Sequence, residues 1–194
     1  MSYLYNMFEG SLDELSARFE AVDLTDLEAV TTTVLGDDPD PEDVADLDLD
    51  EDDLAVDVTG PLVLAALIER SWVPTDEELL NWLDWHEQDE LLEAAQQRLT
   101  ARGADLIGDL FEAPPLGVHP LGWGFRGSLT HAEVVDLRDE LTAILPAAVV
   151  DAASAHPTDV RALADGWPIE VPLSWVLISL RGVGAGRDVA VRLE

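Results

Sequence analysis

Residues Ala113 to Leu145 read APPLGVHPLGWGFRGSLTHAEVVDLRDELTAIL, and the way this stretch divides between loop and regular structure decides what the rest of the chain packs around. Its first half carries Pro114, Pro115, Gly117, Pro120 and Gly122. Proline restricts φ and glycine permits turns, so the segment from Pro114 to Gly127 is expected to be an ordered, non-helical loop packed by Leu116, Val118, Leu121, Trp123 and Phe125. In the second half, Thr130 and Glu133 have the spacing of a capping box. Val134, Leu137, Leu141, Ile144 and Leu145 then form an apolar stripe that Pro146 ends, which predicts a core helix.

Upstream, Tyr3 to Phe8 is short and aromatic, with Tyr3, Tyr5 and Met7 on one side of a strand and Leu4 and Phe8 on the other. Glu9-Gly10 reads as a turn, and Ser11 with Glu14 as a capping box for a helix carrying Leu12, Leu15 and Phe19. A second helix from about Thr25 stops at Gly36. Thr59 is placed to cap a strongly apolar helix reaching Trp72. Thr75 and Glu78 open a longer one expected to end near Gly103, with a short helix over Ala104 to Phe111.

Downstream, Val149 to His156 reads as a helical piece, and Pro168 and Pro172 bracket an extended segment. Ser174 to Leu180 is compatible with helix or strand, because its apolar run is short. Asp188 to Leu193 alternates like a strand, and its pairing with the N-terminal strand would close a small sheet. The fold expected is therefore a predominantly helical α+β single domain over residues 1–194, with the sheet formed from the N- and C-terminal strands.

Lys plus Arg total 10 against 41 Asp plus Glu, a net charge of −31, and every cation is Arg. Hydrophobic residues still make up 47% of the chain, enough for a folded core. Acids recur on nearly every expected helix, the pattern of a protein adapted to molar salt, where a Debye length of roughly 3 Å screens carboxylate repulsion. Acidic mimicry of nucleic acid is the alternative and needs carboxylates in rows on one face. Direct nucleic-acid binding is not expected from scattered Arg. No apolar run approaches the roughly 18 residues of a membrane span, so a cytoplasmic protein is the expectation. Residues 37–57 hold 12 acids in 21 positions and read as a solvated connector.

Few residues offer chemistry. There is no Cys and no nucleophile-elbow motif. Asp46, Asp48, Asp50, Asp52 and Asp57 match places of a calcium-loop register, but Glu51 stands where the turn needs Gly and Asp57 is shorter than the usual bidentate Glu. The glycines of RGVGAGR, residues 181–187, precede a strand, whereas a phosphate loop needs a helix there. Trp82, Trp85 and His86 form either an aromatic binding face or core packing. His119 and His131 flank the central loop and, with Glu133, are the candidates for a metal or acid–base pair. Trp123, Phe125 and Arg126 are the candidates for binding. Arg126 suits either an external carboxylate or phosphate, or an internal Asp.

The short N-terminal strand, SLDEL with its acidic Leu-rich helix, the Pro-rich loop entering GSLTHAEV and the closing Gly-Arg-Asp strand resemble the YfbM-like small bacterial proteins. The resemblance implies one α+β domain and brings no catalytic residues with it. The acidic run 37–57 has no counterpart in that outline. Taken together, these features lead to the expectation of a non-enzymatic protein-interaction domain, immunity- or regulator-like, with no cofactor and an unknown protein partner. A His119/His131 enzyme and an acidic mimic remain the alternatives.

Overall fold

The computed structural model describes residues 5–37, 39–47, 49, 56–75, 88–120, 124–155 and 170–193. Strand β1 (Tyr5–Gly10) leads through Ser11 into helix α1 (Leu12–Glu20), followed by α2 (Leu27–Leu35), α3 (Pro41–Asp46), α4 (Val56–Ser71) and the two-residue strand β2 (Val73–Pro74). Helices α5 (Gln88–Arg98) and α6 (Ala101–Glu112) come next. A 3-10 turn at Pro115–Gly117, strand β3 (Gly124–Leu129), α7 (His131–Ile144), α8 (Ala147–Ala155), α9 (Glu170–Gly182) and β4 (Asp188–Leu193) complete the order.

The four strands form one antiparallel sheet in the order β2-β1-β4-β3. The chain ends do pair, from Tyr5 opposite Leu193 to Gly10 opposite Asp188. Alternation along the strands divides the core into two layers. Tyr5, Met7, Val189 and Val191 face a large core with residues of α5, α6, α7, α8 and α9, Trp175 among them. Phe8 and Ala190 face the other way, against Leu15 of α1, Leu64 and Ile68 of α4, and Trp72. The result is an α+β domain whose sheet lies between two helical layers. Among the described residues no helix is long and apolar enough to cross a membrane.

Several expected boundaries move, each for a tertiary reason. Glu9-Gly10 is not a turn, because both residues continue the ladder opposite Val189 and Asp188. A Cβ on Gly10 would lie 2.3 Å from the Trp72 indole, so glycine here admits the ring. Thr59 does not cap a helix: it is buried inside α4, and its hydroxyl donates to the Leu24 carbonyl at 3.2 Å. Gly103 stops nothing either. Thr100 caps α6 by accepting the Gly103 N–H, and the Glu140 carboxylate occupies the space a Gly103 side chain would need.

The Ser174 to Leu180 run is resolved as helix, part of α9 and almost wholly buried. The acidic run is not all connector, since α3 forms within it behind Asp40, whose carboxylate accepts the Glu42 N–H. The largest correction is at the central stretch. Gly124 to Leu129 was expected to lie in or just after a loop and is instead the edge strand β3, paired with β4 from Leu193 to Val189.

Candidate functional site at the two ends of strand β3

Strand β3 exists because two glycines tolerate close neighbours. A Cβ on Gly127 would fall 1.9 Å from the Leu110 carbonyl oxygen, so the C-terminal turn of α6 packs backbone to backbone on the strand. The register slips between Phe125 and Gly127, which makes Arg126 the extra residue of a β-bulge. Phe125 is 3% exposed. It meets Phe8 edge-on at 5.3 Å, and the Arg192 guanidinium lies 6.0 Å from its ring centre. Arg192 is also paired with Glu69. Phe125 is thus a core residue and not an exposed binding aromatic, because strand alternation turns it inward. Arg126 is half-buried. Trp123 lies outside the described residues, as do Trp82, Trp85, His86 and His156.

From Ala113, whose carbonyl accepts the Ser128 hydroxyl at 3.2 Å, the loop Pro114 to Pro120 runs back along β3 to Gly124 and packs over α4. The Gly117 N–H donates to the Pro114 carbonyl at 3.0 Å and the Val118 N–H to Pro115 at 3.1 Å. Within this turn Leu116 has φ 55° and ψ 15°, left-handed values that a Leu side chain disfavours. Its side chain is 38% exposed. Val118 and Pro120 of the same loop, with Pro61, Leu62, Leu64 and Phe125, line an apolar crevice of about 80 Å³. His119, between two of these residues, is exposed.

At the Leu129 end the chain turns through Thr130 into α7. His131 is the first helical residue, and its Nδ1 is buried with no hydrogen-bond partner among the described residues. Five strand steps separate Gly124 from Leu129, about 17 Å at the usual rise. The structure therefore does not bring His119 and His131 together. Glu133 is occupied as well: one oxygen accepts the Thr130 N–H at 2.9 Å and hydroxyl at 2.8 Å, the other accepts Arg102 at 3.0 Å. Burial pushes the Glu133 carboxyl up, but the Thr130 hydrogen bonds and the Arg102 charge outweigh it and hold the group below its ordinary 4.5. This is a helix cap tied to α6, not a general base waiting beside His131.

The calcium-loop positions are split. Asp46 closes α3, Asp57 is exposed in the first turn of α4, and Asp48, Asp50 and Asp52 lie outside the described residues. Among the described residues no group of three or more His, Asp or Glu is placed to hold a metal ion. An open cleft of about 870 Å³ runs along the start of α2, walled by Asp23, Asp26, Glu28 and Asp37. There the Thr25 hydroxyl and N–H hold the Asp23 carboxyl below its ordinary value.

Two carboxylates matter that sequence reading passed over. Asp188 accepts the Leu12 N–H at 2.6 Å and the His131 N–H at 2.7 Å, and Glu9 accepts the Gly184 N–H at 2.6 Å. The glycine turn before β4 therefore holds an internal carboxylate. The available signal was that Asp188 is the sole acid of DVAVRL, a strand otherwise patterned for burial. In comparisons with known proteins, the chain matches no family model, no curated protein and no solved structure.

Proposed function

We propose that this chain is a non-enzymatic protein-interaction domain, of the immunity or regulator kind, that works in molar salt and meets its partner with the Pro114–Pro120 loop. The observation that carries the reading is Leu116. Its backbone is held in a disfavoured conformation while its apolar side chain faces solvent, on a loop stiffened by three prolines. Strain of this kind is retained where the displayed group is used. The crevice that the same loop lines is of a size to take one small apolar side chain, and an apolar contact keeps its strength where salt screens charge. Trp123 and Arg126, which follow the loop in sequence, are proposed to contribute to the same binding.

Support for salt adaptation comes from the charge distribution. Asp13 and Asp57 are exposed on one helical layer, and Glu93, Asp105, Asp136 and Asp151 on the other. Carboxylates spread over both layers fit a solvent adaptation better than a mimic with rows on one face. A salt titration of the unfolding midpoint tests this. Stability should rise steeply from dilute buffer to molar KCl, and a flat response rejects the adaptation.

The binding proposal is tested with Leu116→Gly, which relieves the left-handed strain and removes the displayed side chain. Captures from an extract of the producing cells, made in molar KCl and read by mass spectrometry, should yield a partner with the wild type that the variant loses. The variant's unfolding free energy from urea titration should stay within about 0.5 kcal/mol of wild type, because relieved strain offsets the added chain entropy of glycine. Capture that survives in Leu116→Gly, and also with Trp123 and Arg126 replaced by Ala, rejects the surface.

A further inference from the structure

Two helices begin at the same end of the sheet. The chain leaves β1 at Gly10 and enters α1 at Leu12; it leaves β3 at Leu129 and enters α7 at His131. Strand β4 runs between β1 and β3, with Asp188 opposite Gly10 and Val189 opposite Leu129. Each helix has a local cap, for Ser11 accepts the Glu14 N–H and Thr130 the Glu133 N–H. Those caps leave the first helical amides, Leu12 and His131, to find another acceptor. Asp188 supplies one oxygen to each.

The two helices belong to opposite layers. Leu15 of α1 packs with Trp72 and Ala190 on one face, while Val134 and Leu137 of α7 pack with Val189 and Val191 on the other. We infer that Asp188 is a latch that makes the two helical layers open as one cooperative unit, its carboxylate shared between helices that begin on either side of β4. The hydrogen bonds span 176 and 57 residues of sequence, so the latch joins elements that chain connectivity leaves far apart. Both are charge-assisted and partly buried, and both lie at the positive ends of helix dipoles. Glu9 provides the contrast on the adjoining strand, since its carboxylate ties the single amide of Gly184 in the α9–β4 turn.

Hydrogen exchange in molar KCl with rising urea tests the latch. In the wild type, amides inside α1 and α7, such as those of Phe19 and Leu141, should share one opening equilibrium and one urea dependence. Asp188→Asn should split that opening, so that α1 and α7 acquire separate opening equilibria and at least one of them exchanges about tenfold faster or more, as expected for losing a hydrogen bond to a charged acceptor. Glu9→Gln should leave that shared opening in place. Separate opening equilibria in the wild type overturn the inference. So does an Asp188→Asn variant whose two helices still share one opening equilibrium, or in which only the first-turn amides of Leu12 and His131 accelerate. Where Asp188→Asn does not fold, His131→Pro removes one of the two latched amides at a first helical position, which accepts proline, and should split the opening in the same way.

Discussion

The two ends of β3 are built from the same few residues of sequence and end up with opposite character. At Leu129 the polar groups of the turn answer one another: Thr130 with Glu133, Glu133 with Arg102, and His131 and Leu12 through their amides with Asp188. At Gly124 the neighbouring loop displays Leu116 and a shallow apolar crevice. Glu133, a residue with a chemical reputation, lies at the first end and is held in the helix cap, while the buried Nδ1 of His131 has no hydrogen-bond partner among the described residues. Leu116, a residue with no such reputation, marks the second. Side-chain type is therefore a poor guide here, and what each group contacts is a better one.

That contrast yields graded expectations. The largest effect belongs to the close approach that holds both ends in place. Gly127→Val should destabilise the domain by about 3 kcal/mol or more, because the clash is with the Leu110 backbone and no rotamer relieves it. Urea unfolding in molar KCl measures it, and a loss below about 1 kcal/mol would mean that α6 does not rest on the strand. Next is Thr130→Ala, which deletes one half of the capping box and should cost about 1 kcal/mol. It should leave partner capture through the Leu116 surface unchanged; lost capture would show that the two ends are not separate in function.

The smallest effect is on pH dependence. The folded Glu133 carboxyl lies below its ordinary 4.5. The unfolded chain therefore binds its proton first, so the contribution is complete above that value and is lost as pH falls through the lower folded value. Glu133→Gln should flatten this part of the acid-unfolding curve below pH 4.5 and leave the neutral region nearly parallel to wild type. Identical curves below pH 4.5 would detach Glu133 from the cap.

Much of this architecture could be read in advance. Helix α7 was legible from Thr130, Glu133 and the stripe through Leu141, since capping and burial there are set within a few residues. The pairing of the chain ends followed from two short alternating runs. Strand β3 was not legible, because two glycines blunt the alternation of GFRGSL and its pairing depends on β4 and on the back of α6. Thr59 and Gly103 misled for a related reason. Each has a strong local meaning, cap and stop, which a distant partner overrode: the Leu24 carbonyl in one case and Glu140 in the other.

Local chemistry along the chain was sufficient to settle the α+β class, the pairing of the terminal strands, the principal amphipathic helices and the acid-dominated surface. These depend on periodicity, capping and composition, which act over a few residues or over the whole chain at once. Only tertiary structure decided that the sheet has four strands between two helical layers, that His119 and His131 stand at opposite ends of one of them, and that Asp188 serves two helices. Those outcomes rest on contacts between residues far apart in sequence, up to 176 positions for Leu12 and Asp188, where which partner arrives is a property of the packed chain and not of any local pattern.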